Sequence, residues 1–329
     1  MASTENSQLL SDDRPGSYLN EDSSQTQKSS ADKMSEGWFM HVDKFLDNLR
    51  LRNELIRQFC AELLGTFMLV LIGDGAIAQM KFFGGTGTGA GFLNVNIGYS
   101  FGLMLGVYFT ASVSGGHLNP AVSLAFCTLG KLKWLAFPVY MLAQFIGAFL
   151  AAAMVFAVYY DSIDKEDHNR TVVLPTSTAG IFATYPTPGL SWGVGFVDQL
   201  LGTALLMGGI MAVTDSKNSK PPSGLEPIFV ALTFFAVGIS FGYNFGYGIN
   251  PARDFGPRVF TALAGYGSDV WTQAGVHWWI IPTFVPFLGA PIGAWVYYLG
   301  IGMHCESAYK RHEDNAQLLE SQPSMTEDK

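Results

Sequence analysis

The sequence predicts an all-α membrane protein built from two inverted halves, each with three spans and one short re-entrant helix. Three observations carry this. The residues are 49% hydrophobic and only 14% charged, with a mean hydropathy of +0.23, too apolar for an ordinary soluble chain of 329 residues. Six segments are long and apolar enough to cross a bilayer. One tripeptide occurs twice, as Asn119-Pro120-Ala121 and Asn250-Pro251-Ala252, each time in Gly-rich apolar sequence.

In chain order, residues 1–48 are rich in Ser, Asp, Glu, Asn and Gln and read as a disordered tail without a cleavable signal peptide. Spans are expected at 56–80, 95–113 and 134–160 in the first half, and at 194–214, 227–242 and 278–304 in the second. Residues 306–329 form a second disordered tail, leaving 49–305 as the membrane domain. Between the second and third spans, and again between the fifth and sixth, lies an Asn-Pro-Ala segment. Asn is a helix cap, Pro suits the first helical position, and Ala opens a run of helix formers. Each such helix is only two or three turns long, too short to cross. It reads as re-entrant, and irregular backbone at that depth persists only when buried or lining a water-filled cavity. A pore is therefore implied, with two positive helix ends facing each other inside it.

The halves, about 49–160 and 190–305, repeat. Glu62-Leu63-Leu64-Gly65-Thr66 recurs as Gln199-Leu200-Leu201-Gly202-Thr203 at the start of each half's first span. Three spans per half is odd, so the copies are inverted in the membrane. Orientation follows from Lys and Arg in short loops. Arg50, Arg52, Arg57, Lys131, Lys133, Lys217, Lys220, Lys310 and Arg311 fall on one side. The other has Lys81, and Lys165 and Arg170 diluted by Asp161, Asp164, Glu166 and Asp167. Both tails are expected in the cytoplasm. Asn169-Arg170-Thr171, on the outer side, is a candidate glycosylation site at Asn169.

Other classes fall away. The net charge of −8 resides mainly in tails and loops, and no basic block suggests nucleic acid. Cys60, Cys127 and Cys305 are scattered, giving neither a disulfide framework nor metal-ligand spacing. No metal or cofactor is expected. Glu62 and His117 have residue types suited to acid–base work, but no nucleophile, metal cluster or phosphate loop accompanies them. A coupled transporter shares the inverted repeat, yet nothing suggests a coupling ion.

Two longer stretches are specific: Ser114-Gly115-Gly116-His117-Leu118-Asn119-Pro120-Ala121-Val122, and residues 248–258 with Asn250-Pro251-Ala252-Arg253-Asp254 at their centre. With the six-span frame, they make the chain resemble aquaporin-family channels, and specifically the animal aquaglyceroporins, from about residue 50 to 305. The resemblance implies the aquaporin fold, passive conduction of glycerol, water and other small neutral solutes with exclusion of protons and ions, and a homotetramer in the plasma membrane. It does not imply an enzyme.

The resemblance also assigns roles. Asn119 and Asn250 either only cap their helices or also offer amide donors to a passing oxygen, which breaks a proton wire. Tyr99, Gly238, Tyr247 and Arg253 match the outer selectivity filter. An intramembrane Arg is by default functional, whereas the tyrosines have packing as their alternative. Water-only relatives typically carry His at the Gly238 position, and Phe or Trp is more usual at Tyr99, whose hydroxyl is expected to make the filter more polar or narrower. Gly115, Gly116, His117, Leu118, Gly246, Tyr247 and Gly248 are expected to present a ladder of carbonyls. Glu62 is expected to hold the first loop, with the neutral Gln199 at its mirror position. Asp254 and Arg258, another glycerol-channel mark, read best as an ion pair supporting the loop of Arg253. In the tails, Glu5 with Leu9-Leu10, and Asp314 with Leu318-Leu319, resemble acidic dileucine signals for clathrin adaptors and endolysosomal cycling.

Overall fold

The computed structural model describes residue 42 and residues 45–83, 91–173, 175–244, 246–273 and 277–305. Residues 45–49 are helical and belong to a separate unit ending at Leu51; the main body runs from Arg52 onward. The dileucine pairs Leu9-Leu10 and Leu318-Leu319 lie outside the described residues, as do Lys310 and Arg311. Among the described residues there is no strand.

The body contains α1 (Glu54–Phe83), α2 (Gly91–Ser114), α3 (Pro120–Thr128), α4 (Phe137–Val158), α5 (Tyr160–Glu166), α6 (Trp192–Thr214), α7 (Glu226–Phe241), α8 (Pro251–Thr261), α9 (Ile280–Phe284) and α10 (Pro286–Gly300). Helices α1, α2, α4 and α6 are each long and apolar enough to span a bilayer. Their outward faces carry exposed Phe109, Leu142, Val158 and Leu205, which suits lipid rather than water. Helix α7 is shorter, at 16 residues, and closes with the Gly242 N–H on the Gly238 carbonyl.

The predicted sixth span, 278–304, runs as α9 and α10 through Val285, whose backbone stays helical (φ −63°, ψ −36°), and ends in a 3-10 turn over Gly302–His304. One helical bond is missing at the junction, and Pro286 is the cause. It has no N–H for the Pro282 carbonyl, and its ring crowds that carbonyl. Conversely, the outer stretch read as plain polar loop contains α5, which has Asp161 in its first turn and Lys165 in its last, the arrangement that complements a helix dipole.

Packing repeats between the halves. Helix α1 packs on α2 and α4, and α6 packs on α7 and the α9–α10 span. The short helices cross over: α3 lies mainly against α10, and α8 mainly against α4. Each half-helix is thus clamped by the other half, so neither half has a complete core alone. The Glu62–Thr66 repeat has a structural counterpart. A Cβ on Gly147 of α4 would strike the Leu63 carbonyl oxygen, and one on Gly289 of α10 would lie 2.6 Å from the Leu200 carbonyl oxygen. Close backbone approach of this kind is how membrane helices pack without a hydrophobic driving force between them.

The segment joining α5 to α6 is firmly built. The buried Asp167 carboxylate accepts from Thr171 N and Oγ1 (both 2.9 Å) and from Thr178 N (2.9 Å) and Oγ1 (3.1 Å). Thr178 also bonds Tyr266, beyond α8, at 2.6 Å. This segment is thereby held to the stretch that follows the C-terminal end of α8.

Candidate functional site: a transmembrane pore

Both short helices begin as capped termini. Asn119 (φ −153°, ψ 120°) accepts from Ala121 N at 2.9 Å through Oδ1, and Pro120 occupies the first turn. Asn250 (φ −143°, ψ 108°) accepts from Ala252 N at 3.0 Å and Arg253 N at 3.3 Å. The amide nitrogens then cross between the halves. Asn119 Nδ2 donates to Ile249 O at 3.0 Å, and Asn250 Nδ2 donates to Leu118 O at 2.8 Å. Each NH2 carries two hydrogens. One is fixed on the opposite loop, and the other remains for a third oxygen. The reciprocal bonds set the two helix starts against each other at close range.

The first loop hangs on Glu62, fully buried in α1. Its Oε1 accepts from Ser114 Oγ (2.6 Å) and His117 N (3.0 Å), and its Oε2 from Leu118 N and Gln144 Nε2 (both 2.7 Å). The carboxylate holds the His117 backbone, not its ring, whose Nδ1 faces Ser123 Oγ at 3.1 Å while the ring stacks on Phe126. Gly116 N donates to Ser114 Oγ at 3.2 Å. In a trans peptide, a carbonyl points opposite to the next residue's N–H. With the N–H groups of Gly116, His117 and Leu118 drawn toward Glu62 and Ser114, the carbonyls of Gly115, Gly116 and His117 turn the other way. The chain achieves this with positive φ at Gly115 (88°), Gly116 (65°) and Leu118 (52°). At Leu118, a non-glycine, the strain is held by the Glu62 and Asn250 bonds.

The second loop is held differently. Gln199, at the mirror position of Glu62, donates weakly to its neighbour Asp198 (3.3 Å), and its buried Oε1 has no hydrogen-bond partner. Asp198 takes over, accepting from Asn244 Nδ2 at 2.6 Å, while Asn244 O accepts from Thr187 N. Gly246 has φ 74° and donates its N–H to Gly242 O. The Tyr247 hydroxyl donates to Asn96 Oδ1.

Two cavities flank the paired asparagines and share no lining residue. One, of about 490 Å³, is bordered by Gly115, Gly116, His117 and Val122, and by Gly224 and Glu226 at the start of α7. The other, of about 510 Å³, is bordered by Phe92, Gly238, Gly246, Tyr247, Arg253 and residues 183–187. They open at opposite ends of the bundle, since 183–187 join the third span to the fourth and 223–226 join the fourth to the fifth.

Tyr99, Gly238, Tyr247 and Arg253 do come together. The Tyr99 and Tyr247 rings stack with centroids 4.9 Å apart and 17° between planes. The Arg253 guanidinium sits 4.9 Å over the Tyr99 ring, and its Nη1 donates to Phe182 O at 2.8 Å. A Cβ on Gly238 would collide with the Tyr247 hydroxyl, so only glycine leaves that ring its place. Gly238, Tyr247 and Arg253 border the cavity; Tyr99 is fully buried behind them. The expected contribution of the Tyr99 hydroxyl is corrected here. It donates to Asp74 in α1, so it adds no polar group to the cavity wall.

Asp254 and Arg258 are both fully buried and form a network. Arg258 Nε donates to Asp254 Oδ1 at 2.9 Å, its Nη1 to Val270 O at 2.7 Å and its Nη2 to Thr184 O at 2.5 Å. Asp254 Oδ2 accepts from Thr184 N (2.7 Å) and from Thr184 Oγ1. The pair therefore fastens the stretch after Phe182 to the helix bearing Arg253. Burial pushes the nearby Tyr185 phenol up to about 12 despite Arg258 over its ring. Asn169 is exposed beyond α5. Among the described residues no His, Cys, Asp and Glu group fits a metal ion, and the three cysteines are free thiols.

Sequence reasoning missed Asp74, Asn96, Gln144, Asp198 and Thr184. For the first four the signal was available: each is a polar residue within an apolar span, the same sign that exposed Glu62. Thr184 carried none.

Residues 50–297 match the family model described as Major intrinsic protein. The chain is 43% identical over 291 residues to aquaporin-10 of Milnesium tardigradum, covering 82% of this chain and 71% of that protein. It is 42% identical to aquaporin-9 of Homo sapiens, over 79% of this chain and 88% of that one. The solved structure of the aquaglyceroporin from Plasmodium falciparum superposes with a TM-score of 0.67 at 29% identity, covering 74% of this chain and 95% of that chain. With a family model spanning most of its length and relatives above 40% identity, the chain belongs to the major intrinsic protein family.

Proposed function

We infer that this chain is a passive membrane channel for glycerol and water, and that its solute choice is made where Gly238, Tyr247 and Arg253 border the outer cavity. The observation that carries the glycerol reading is the absence of a Cβ at Gly238, which leaves room for the Tyr247 ring. Aromatic faces there suit a carbon backbone, while Arg253 and loop carbonyls suit its hydroxyls. The free hydrogens on Asn119 Nδ2 and Asn250 Nδ2 offer one oxygen two donors. A water accepting both turns its own hydrogens outward, which interrupts proton hopping, and the two positive helix ends repel cations.

The multi-pass membrane setting follows from the family. Placement in the plasma membrane with both termini cytoplasmic is supported by the Lys and Arg bias of the loops. A homotetramer with one pore per protomer is supported by the resemblance to aquaglyceroporins. Glycan attachment at Asn169 is supported by its exposure on the outer side, and adaptor binding and endolysosomal cycling rest on the two dileucine sequences in the tails.

Stopped-flow light scattering on proteoliposomes tests the function. Fast, low-activation-energy fluxes of glycerol and water, independent of sodium and of a proton gradient, are expected. Flux that requires either ion would refute a passive channel, and water flux without glycerol flux would refute the solute assignment. Replacing both leucine pairs by alanine and finding unchanged surface abundance would remove the sorting role.

A further inference from the structure

Asp74 lies deep in α1, between Gly73 and Gly75, with no exposure. A carboxylate there is expensive, and a buried ion pair rarely stabilises more than an apolar replacement would. Its environment is specific. Oδ1 accepts the Tyr99 hydroxyl and lies 3.5 Å from Arg253 Nη2, while Oδ2 has no hydrogen-bond partner. Arg253 Nε is likewise buried without a partner. At 3.5 Å the charge pair is closed only loosely. Buried donors and acceptors left open on both members of one pair fit an arrangement with a second, nearby geometry better than a permanent clamp.

We propose that Asp74 is a positioning residue that sets the solute specificity of the filter by drawing the Arg253 guanidinium and the Tyr99 phenol toward α1. This rests on the channel reading above. Arg253 has two main anchors, the Phe182 carbonyl and Asp74. Removing the charge at Asp74 leaves the guanidinium tied on one side only, and the open direction is the cavity that it borders with Gly238 and Tyr247. The bore then narrows, and a bulky solute suffers more than water. The remaining groups around Asp74 do not substitute for it. From α2 there is Tyr99, and from α8 there are Arg253 and Asp254, whose carboxylate is engaged by Arg258 and Thr184. Helix α4 and residues 179–181 carry no charged residue, and the α4 phenol Tyr140 donates to Ser114 O instead. Protonating Asp74 keeps its bond to Tyr99 and cancels its pull on Arg253, so acidification and Asp74→Asn act alike.

The test measures glycerol and water permeability of the full chain in proteoliposomes from about pH 8 to about pH 5. Asp74→Asn is expected to lower the glycerol-to-water ratio by about fivefold at neutral pH, a barrier difference well within one lost anchor. The wild-type ratio should fall on acidification, and that fall should vanish in Asp74→Asn. Asp74→Glu restores both the ratio and its pH response in part, which a merely structural role would not require. Tyr99→Phe keeps the pH response, because the charge pair survives. A flat wild-type profile needs no variant and overturns the proposal, as does an unchanged ratio in folded Asp74→Asn protein. If the wild type passes water but no glycerol, the solute reading fails instead. The assignment of Asp74 is then decided by whether water permeability alone shows a pH change that Asp74→Asn abolishes.

Discussion

Replacing Gly238 with alanine is the smallest change that should convert the solute preference. A Cβ at this position would collide with the Tyr247 hydroxyl and lie 2.5 Å from Asn96 Oδ1, about 1 Å inside van der Waals contact. The Tyr247 hydroxyl must therefore leave Asn96. Its ring is bounded by Tyr99 at 4.9 Å and Phe234 at 4.6 Å, so the direction left to it is the cavity it borders. Losing the Asn96 bond in a buried place costs roughly 1–3 kcal/mol. Disturbing the stack on Tyr99 adds about 0.5–1.5 kcal/mol. Pushing the displaced ring aside then raises the barrier for glycerol by an amount of the same order, and each 1.4 kcal/mol is about a tenfold slowing. Water, needing less width, should lose no more than about threefold, under 1 kcal/mol of barrier. Paired stopped-flow measurements on one proteoliposome preparation give both permeabilities, and a thermal melt checks folding. Equal losses of glycerol and water in folded protein, or an unchanged ratio, would refute the steric argument. Gly238→His should act in the same direction and more strongly.

Other outcomes follow from the same geometry. Glu62→Ala orphans the N–H groups of His117 and Leu118, each worth roughly 1–3 kcal/mol, and leaves Ser114 Oγ and Gln144 Nε2 only Thr110 O and Ser123 Oγ, so detergent-solubilised protein should melt several degrees lower; Glu62→Gln should be milder, and an unchanged melt would exclude the loop-holding role. Arg253→Ala leaves Asp74 buried without its counter-charge and should destabilise by roughly 3–5 kcal/mol, which Asp74→Asn in the same chain should largely recover. Asn250→Asp removes the donor to Leu118 O and adds negative charge between the helix starts, so a pH-sensitive dye should report proton leak that is absent from the wild type. In the exposed segment around α5, bonds from His168 and Arg170 hold the Asp164 carboxyl below its usual range. A lowered value means the stabilisation is complete above the unfolded value of about 3.9 and is lost as pH falls through the folded one. Proteolytic protection of 161–178 should persist from neutral pH to about 4 and fade below that, and loss already near pH 6 would contradict the pairing.

The sequence determined the frame of this channel because its signals are local or repeated. Apolar length gave spans whose positions hold to within a few residues for α1, α2, α4, α6 and α7. Asn followed by Pro marked two capped helix starts, since capping is decided by residues adjacent in the chain. The Glu62–Thr66 repeat disclosed two halves. Even the bond missing at Pro286 in the last span was legible in principle, because the lost N–H belongs to the residue itself.

What only the tertiary structure decided is which polar group meets which. Glu62 and Gln199 occupy matching places in the repeat, yet one organises four donors and the other leaves the work to Asp198 and Asn244. The sequence singled out Tyr99 and Arg253 as filter candidates, but Asp74 joins them from a different helix, and its separation in sequence hides the pairing. The cross-bonds from Asn119 to Ile249 and from Asn250 to Leu118 bridge more than a hundred residues. The physical reason is common to all three cases. A helix start or a span is fixed by energies between neighbours in the chain, whereas a buried charge is satisfied by whichever partner the packing brings within about 3 Å.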